Sequence, residues 1–109
     1  MTLQELDTYF RSFLKIENFS ADPSLNGIQI ENSDPCTKEI KKVAFAVDAC
    51  QATFERAVQL HADVLFVHHG IFWGQCETVT GTHYRRLKTV LDNDVALYAC
   101  HIPLDANEL

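Results

Sequence analysis

Apolar residues recur at helical spacing near the start of the chain. Five of them fall on one face of a helix: Leu3, Leu6, Phe10, Phe13 and Leu14. Thr2, followed three residues later by Glu5, has the pattern of a capping box. We therefore predict an amphipathic helix over residues 2–15, ended by a polar stretch at 18–26 in which Pro23 indicates a turn.

Further along the chain, short apolar runs alternate with helical patterns. The predicted strands are 28–31, 43–47, 64–67 and 95–100, and the predicted helices are 51–61 and 82–93. This alternation is typical of βαβ units with right-handed crossovers, so we predict an α/β fold with a mainly parallel sheet and flanking helices. The run 43–47 is apolar throughout, which predicts a strand buried on both faces.

Length and composition limit the classes of function. At 109 residues the chain has the size of one domain. A hydrophobic share of 47% and a charged share of 22% are typical of a packed globular protein and not of a disordered or fibrous one. The net charge of −6 argues against a nucleic-acid partner, because proteins that bind a duplex normally present a basic face.

The cysteines and the first residues favour a soluble cytoplasmic protein. Four cysteines lie far apart without a C-x-x-C pair: Cys36, Cys50, Cys76 and Cys100. The first residues have the pattern of a helix start and lack the apolar segment of a secretory signal. No apolar run approaches the roughly 20 residues that span a bilayer. We therefore expect free thiols and no membrane partner.

Polar residues collect where the predicted parallel strands end. These residues are Asp48, His68, His69, His101 and Asp105. Ligands of open α/β sheets bind beyond the carboxyl ends of the strands. The sequence therefore predicts a binding or metal site at this edge of the sheet.

His68 and His69 are the most informative pair. Because neighbouring strand residues point to opposite faces, we predict that the two imidazoles diverge, which suits two metal ions better than one. Imidazoles and carboxylates bind first-row metals, and the carboxylate of Asp105 can bridge two ions. An equally supported alternative to metal binding is that His68 forms a hydrogen bond at the end of the strand and His69 is a solvated loop residue.

The neighbouring candidates also have alternative interpretations. His101 is a third ligand, a residue that orients Asp105 without touching the metal, or a cap of the strand end, and we favour the second of these. Asp48 is interpreted as the cap of the helix that follows it, with a supporting or substrate-facing role as the alternatives. After the histidine pair, Gly70 permits a sharp bend and the apolar segment 71–73 can wall off the site.

Other polar residues receive structural interpretations. His61 lies at a helix end, where the helix dipole favours a cation, and we give it no catalytic role. Arg85 or Arg86 could bind an anionic substrate, but exposed helical arginines are more often only solvated. Nothing beside Cys76 in the sequence would lower its pKa, so a thiol sensor using Cys76 or Cys100 is the weakest function considered.

Four segments of the chain together resemble one protein family. They are 26–29 (NGIQ), the strand 43–48, the segment 62–74 with its HHG motif, and the segment 98–106 with its H-x-P-x-D motif. These segments resemble the amino-terminal half of the NIF-three-like dinuclear metal proteins, also called GTP cyclohydrolase 1 type 2 homologues. The resemblance covers nearly the whole chain.

The resemblance implies a metal site and an assembly. The resemblance implies that His68, His69 and Asp105 bind two divalent ions such as zinc, iron or manganese, with Asp105 bridging the two ions. Family members have two similar halves, form ring-shaped hexamers and carry a further His and Glu ligand near their carboxyl end. The sequence stops at Leu109, so we expect a single α/β domain over 1–109 whose site is incomplete without a second half.

Two functions are consistent with these features. The first is a divalent-metal-binding domain of a hydrolase-type homo-oligomer that activates water toward a small nucleotide-type substrate. GTP ring opening is implied by the resemblance alone, and we do not expect this chain to be active without the missing half. The alternative is a non-catalytic oligomerisation or protein-interaction module, because a missing half would leave apolar surface exposed.

Overall fold

Helices and strands alternate along most of the chain. The computed structural model describes residues 1–19, 21–22 and 24–106; Pro23, at a predicted turn, lies outside them. In chain order the elements are α1 (Leu3–Phe13), a 3-10 turn (Ile16–Phe19), β1 (Gly27–Ile30), β2 (Val43–Asp48), α2 (Gln51–Gln59), β3 (Val64–His69), α3 (Gly81–Asp92), β4 (Ala96–Ala99) and α4 (Ile102–Asp105). No helix of the described ranges has the length and apolar character needed to cross a membrane.

One mixed sheet joins the strands in the order β1-β4-β3-β2. β2, β3 and β4 run parallel, as predicted, and β1 pairs with β4 in the antiparallel direction. The register places Asp48 opposite His69 and Val67 opposite Ala99. The carboxyl ends of the three parallel strands therefore meet at one edge, and the α/β fold with a mainly parallel sheet is confirmed.

The first helix begins as the sequence predicts. The backbone N–H of Glu5 donates to the Thr2 hydroxyl at 3.2 Å, and the Thr2 N–H donates to the Glu5 carboxylate at 2.9 Å. The helix ends at Phe13, two residues early, and Lys15 then adopts a left-handed backbone with φ +53°. The 3-10 turn that follows was not predicted from the sequence.

Two apolar layers cover the two faces of the sheet. α2 and α3 enclose one layer around Phe54, Leu65 and Leu97. α1 covers the other face, where Leu3 and Leu6 pack with Tyr98. Parallel strands require such cover on both sides, and the central strands β3 and β4 receive it.

The prediction that β2 is buried on both faces is wrong. β2 is an edge strand: Ala44 and Ala46 pack against the layer of α2 and α3, whereas Phe45 is 70% exposed and Val47 is 63% exposed. A run of apolar residues cannot show whether a helix covers the second face. Here the cover from α1 lies over the middle of the sheet, and the outer face of β2 stays open.

Two phenylalanines test this difference in burial. Phe54 is fully buried, so Phe54→Ala should lower the free energy of unfolding by about 3–5 kcal/mol. Phe45→Ala should lower it by only about 1 kcal/mol or less, since its ring contact is with Phe66. Urea unfolding of both variants measures the difference. Equal losses would show that the outer face of β2 is covered.

Candidate metal centre

Three imidazoles meet at the carboxyl edge of the sheet. His68 and His69 end β3, and His101 stands between β4 and α4. Each ring offers one nitrogen, and these nitrogens all lie within 4.8 Å of one another. The ring centroids of His68 and His69 are 4.4 Å apart, and the ring of His101 is 4.9 Å from that of His68. The topology thus gathers residues more than thirty positions apart in the chain.

The prediction that the two neighbouring imidazoles diverge is wrong. The Nδ1 atom of His68 lies 3.1 Å from the carbonyl oxygen of Cys100, after β4. The Nδ1 atom of His69 lies 2.8 Å from the carboxylate of Asp48, at the end of β2. Each ring is therefore held by the end of a different neighbouring strand, and these hydrogen bonds keep both rings at the same edge of the sheet.

These contacts also fix which ring nitrogen is free. A carbonyl or carboxylate oxygen only accepts hydrogen bonds, so the facing Nδ1 atom must carry the proton. The same holds for His101, whose Nδ1 lies 3.4 Å from the carboxylate of Asp22. In a neutral ring this leaves the Nε2 lone pair free, and imidazole ligands of metals are usually supported in this way.

The nitrogen set fits a divalent metal ion. Tetrahedral zinc with its usual metal–nitrogen length has ligand nitrogens about 3.4 Å apart. The nitrogens of His68, His69 and His101 lie within 4.8 Å of one another, a separation of the same order as that spacing. The chemistry of three neutral imidazoles suits zinc and other first-row ions.

Asp105 lies at the border of the cluster. Its carboxylate is 3.5 Å from Nε2 of His68, and its side chain is 63% exposed at the end of α4. It therefore approaches the free nitrogen of one imidazole and not the common space of all three. The residues predicted as ligands do lie together, and ligation of a metal by them stays a prediction.

Asp48 does not cap the helix that follows it, contrary to our interpretation. The cap position of α2 is Cys50, whose backbone N–H donates to the hydroxyl of Thr53 at 3.0 Å. The carboxylate of Asp48 instead accepts the hydrogen bond from His69. The register explains this, because Asp48 and His69 stand directly opposite each other on paired strands.

Asp22 is a site residue that the sequence analysis missed. Its fully buried carboxylate accepts hydrogen bonds from the backbone of Ser24 and Ile102 and from the side chain of Asn26, each at 3.1 Å, besides facing His101. Burial alone would raise the pKa of Asp22, but these donors together hold the pKa well below its usual range. Asp22 lies 79 residues from His101, so no local pattern could have indicated the contact.

The NGIQ segment braces both loops that carry the imidazoles. The side-chain oxygen of Asn26 accepts the backbone N–H of His101 at 2.7 Å. The side-chain oxygen of Gln29 accepts the N–H groups of Ile71 and Phe72 at 3.0 and 3.3 Å, just after the histidine pair. A Cβ atom at Gly70 would overlap the amide of Gln29, so a larger residue there would displace that amide from its hydrogen bonds.

An aromatic ring bounds the site on one side. The indole of Trp73 stands edge-on to the imidazole of His101, with ring centroids 5.1 Å apart, and lies 6.3 Å from the ring of His69. Of the apolar segment expected to wall off the site, Trp73 thus lies beside the imidazoles. Shielding of the site by this segment stays a prediction.

The remaining candidates lie outside the cluster. His61 follows α2 in a left-handed conformation with φ +56° and is exposed. Arg85 contacts Thr82, and Arg86 contacts His83, both on their own helix α3. Burial raises the pKa of the Cys100 thiol to about 11, which keeps it protonated and argues against a sensor at Cys100.

Comparison with known proteins gives consistent matches. The family model Duf34/NIF3 (NGG1p interacting factor 3) matches residues 1–109. A protein from Treponema pallidum (strain Nichols) with the name GTP cyclohydrolase 1 type 2 homolog is 53% identical over 108 residues, which is 98% of this chain and 37% of that protein. A protein of the same name from Deinococcus radiodurans is 44% identical over 103 residues, covering 94% of this chain and 37% of its own length.

Solved structures share the fold. A crystal structure of a protein from Thermus thermophilus matches with a TM-score of 0.91 and 44% identity over 97% of this chain and 42% of that one. Reduced HcgD from Methanocaldococcus jannaschii matches with a TM-score of 0.83 and 28% identity over 96% of this chain and 41% of its own. The chain thus spans well under half the length of these relatives.

The brace by Gln29 leads to a stability prediction. Gln29→Ala would leave the N–H groups of Ile71 and Phe72 without their acceptor, which should cost about 1–3 kcal/mol of unfolding free energy. It should also speed amide hydrogen exchange at these two residues. The matched control is Gln59→Ala at an exposed helix end, with a cost of about 0.5 kcal/mol or less. Unchanged exchange at both residues would contradict the brace.

Proposed function

This chain belongs to the Duf34/NIF3 family, and we propose that it is the histidine-bearing part of a divalent-metal centre in a hydrolase-type protein. The observation that carries the proposal is the meeting of three imidazole nitrogens within 4.8 Å at the carboxyl edge of the sheet. The hydrogen bonds from each Nδ1 to an oxygen atom support the proposal, because they orient the rings and leave each Nε2 free.

The ligands of the complete centre are His68, His69 and Asp105 together with groups from a second half of the protein. Two ions of zinc, iron or manganese would suit this donor set, and the carboxylate of Asp105 would contribute its oxygens to holding them. When bound, such ions lower the pKa of water and polarise substrate oxygens. The single α/β domain over 1–109 would thus supply one side of the centre, in keeping with its match to about two fifths of its relatives.

The residues of this chain orient and shield the centre. Asp48 holds the proton on Nδ1 of His69, and in this proposal the ring of Trp73 beside His69 shields one side of the imidazoles. The relatives named GTP cyclohydrolase 1 type 2 homolog favour a small nucleotide-type substrate. We further propose that the protein is cytoplasmic and forms a homo-oligomer, which the family resemblance suggests is a hexamer.

Metal content tests this function. After saturation with Zn²⁺ and dialysis, elemental analysis should find bound zinc in the wild type. We expect His68→Ala and Asp105→Ala to retain much less, because each removes a ligand or a charge that faces one. His61→Asn is the matched control, since it removes an exposed histidine outside the cluster and asparagine tolerates its left-handed backbone. Equal zinc in the wild type and both site variants would refute the proposal.

The alternative is a module for self-association, and one observation favours it. An apolar groove of about 450 Å³ lies beside β2, lined by Phe13, Phe45, Val47 and Leu104 among others, and reaches His68. Phe45 and Val47 expose most of their surface there. Contiguous apolar patches of this kind on soluble proteins commonly mark an interface. The occupant in this alternative is a second copy of the chain.

Light scattering separates the two functions. A self-association module should show a multimeric mass that a chelator leaves unchanged, and the double variant Phe45→Ser, Val47→Ser should lower that mass to the monomer. The matched control is Tyr84→Ser with Leu91→Ser, two exposed apolar residues on α3, away from the groove. A monomeric wild type at all concentrations would remove the alternative.

A further inference from the structure

Trp73 presents a partly exposed indole beside the imidazoles. Its ring centroid lies 5.1 Å from that of His101 and 6.3 Å from that of His69, and the residue is 38% exposed. The planes of the indole and of the His101 imidazole are nearly perpendicular, at 79°, so that imidazole covers at most one face of the indole. The exposed part of the indole is therefore a surface on which a flat ring can stack next to the metal centre.

The backbone that carries Trp73 is fixed by its neighbours. The carbonyl oxygen of Phe72 accepts hydrogen bonds from Nε2 of Gln29 at 3.0 Å and from the N–H of Leu25 at 3.4 Å. The ring of Phe72 packs edge-on against the imidazole of His83, with ring centroids 5.6 Å apart. An aromatic surface that is already held in position loses little freedom when a ligand stacks on it, which favours affinity.

The apolar groove beside β2 suits a nucleobase less well than Trp73 does. The groove reaches His68, but its walls are apolar side chains such as those of Phe45 and Leu104. The polar edges of a base would lose their water there without finding partners, which is costly. The segment 74–80 that follows Trp73 is exposed and largely polar. A base stacked on the indole would therefore keep its polar edges hydrated.

A single nucleotide can reach from Trp73 to the metal centre. Its base and its 5′-phosphate are joined through one ribose, and divalent ions bind phosphate oxygens. The net charge of −6 disfavours a longer nucleic-acid strand, because such a strand carries a negative charge on every phosphate. The stacking surface and the charge together therefore favour a mononucleotide.

We propose that Trp73 is a substrate-binding residue, which stacks the base of a mononucleotide whose phosphate lies toward the metal ions. The inference rests on the proposed metal-binding function and names the residue that recognises the base. The indole nitrogen only donates hydrogen bonds and is not a metal ligand. Replacement of Trp73 should therefore change the affinity for the nucleotide and leave the metal content unaltered.

Fluorescence of the zinc-loaded 109-residue chain tests the stacking, because Trp73 is its only tryptophan. Guanosine 5′-monophosphate should quench the indole emission until the site is saturated, with excitation at wavelengths that guanine does not absorb. Ribose 5-phosphate has the same sugar and phosphate without the base. Calorimetry should show that it binds about 5–150-fold more weakly, which is the loss expected for one base stacked on an aromatic ring.

Variants of Trp73 assign the contribution of the base to the indole. Trp73→Leu should weaken binding of guanosine monophosphate by about 5–150-fold, to near the affinity for ribose 5-phosphate, with unchanged zinc content. Trp73→Phe should recover part of this loss, because a phenyl ring still stacks. The matched control is Tyr84→Leu, which removes a half-exposed aromatic ring beside Leu91 on α3 and should bind the nucleotide as the wild type does.

The outcomes separate this inference from the function on which it rests. A wild type that binds no zinc would overturn both. A wild type that binds zinc, but binds the nucleotide no more tightly than ribose 5-phosphate or without quenching of the indole, would overturn the stacking role alone. Equal nucleotide affinity of the wild type and Trp73→Leu would also overturn it. If circular dichroism shows that Trp73→Leu does not fold, the quenching and the comparison of the two ligands in the wild type still decide.

Discussion

The candidate site depends on one arrangement: each imidazole of the cluster has its Nδ1 against an oxygen atom. The oxygens come from the carbonyl of Cys100 and the carboxylates of Asp48 and Asp22. Strand geometry by itself directs neighbouring side chains such as those of His68 and His69 to opposite faces. With these oxygen contacts, the nitrogens converge at the edge where the parallel strands end, and each ring presents the nitrogen that a metal requires.

The antiparallel strand β1 and the turn before it hold this arrangement together. Gln29 satisfies the backbone after the histidine pair, and Asn26 and Asp22 satisfy the backbone around His101. Loops that are already fixed lose less freedom when a metal binds, which favours affinity. The side chains of Asp22, Asn26 and Gln29 thus hold the loops in position, as the oxygen acceptors hold the imidazole rings.

Much of the fold was predictable from local patterns, and the details of the site were not. The spacing of Leu3 and Leu6, the capping box at Thr2 and the apolar runs indicated the helices and the parallel strands, and the histidine pair indicated the location of the site. The exposure of Phe45 was not predictable, because an apolar run looks the same in a central and in an edge strand. The roles of Asp22, Asp48 and Gln29 depend on contacts between distant segments that only the folded topology creates.

The most direct test of this account is a crystal of the chain grown with Zn²⁺ and measured at the zinc absorption edge. We expect anomalous density for zinc beside the imidazoles of His68 and His69 and the carboxylate of Asp105, at about 2.1 Å from their ligand atoms. A map with the rings turned away from one another, or with the zinc bound elsewhere on the chain, would contradict it.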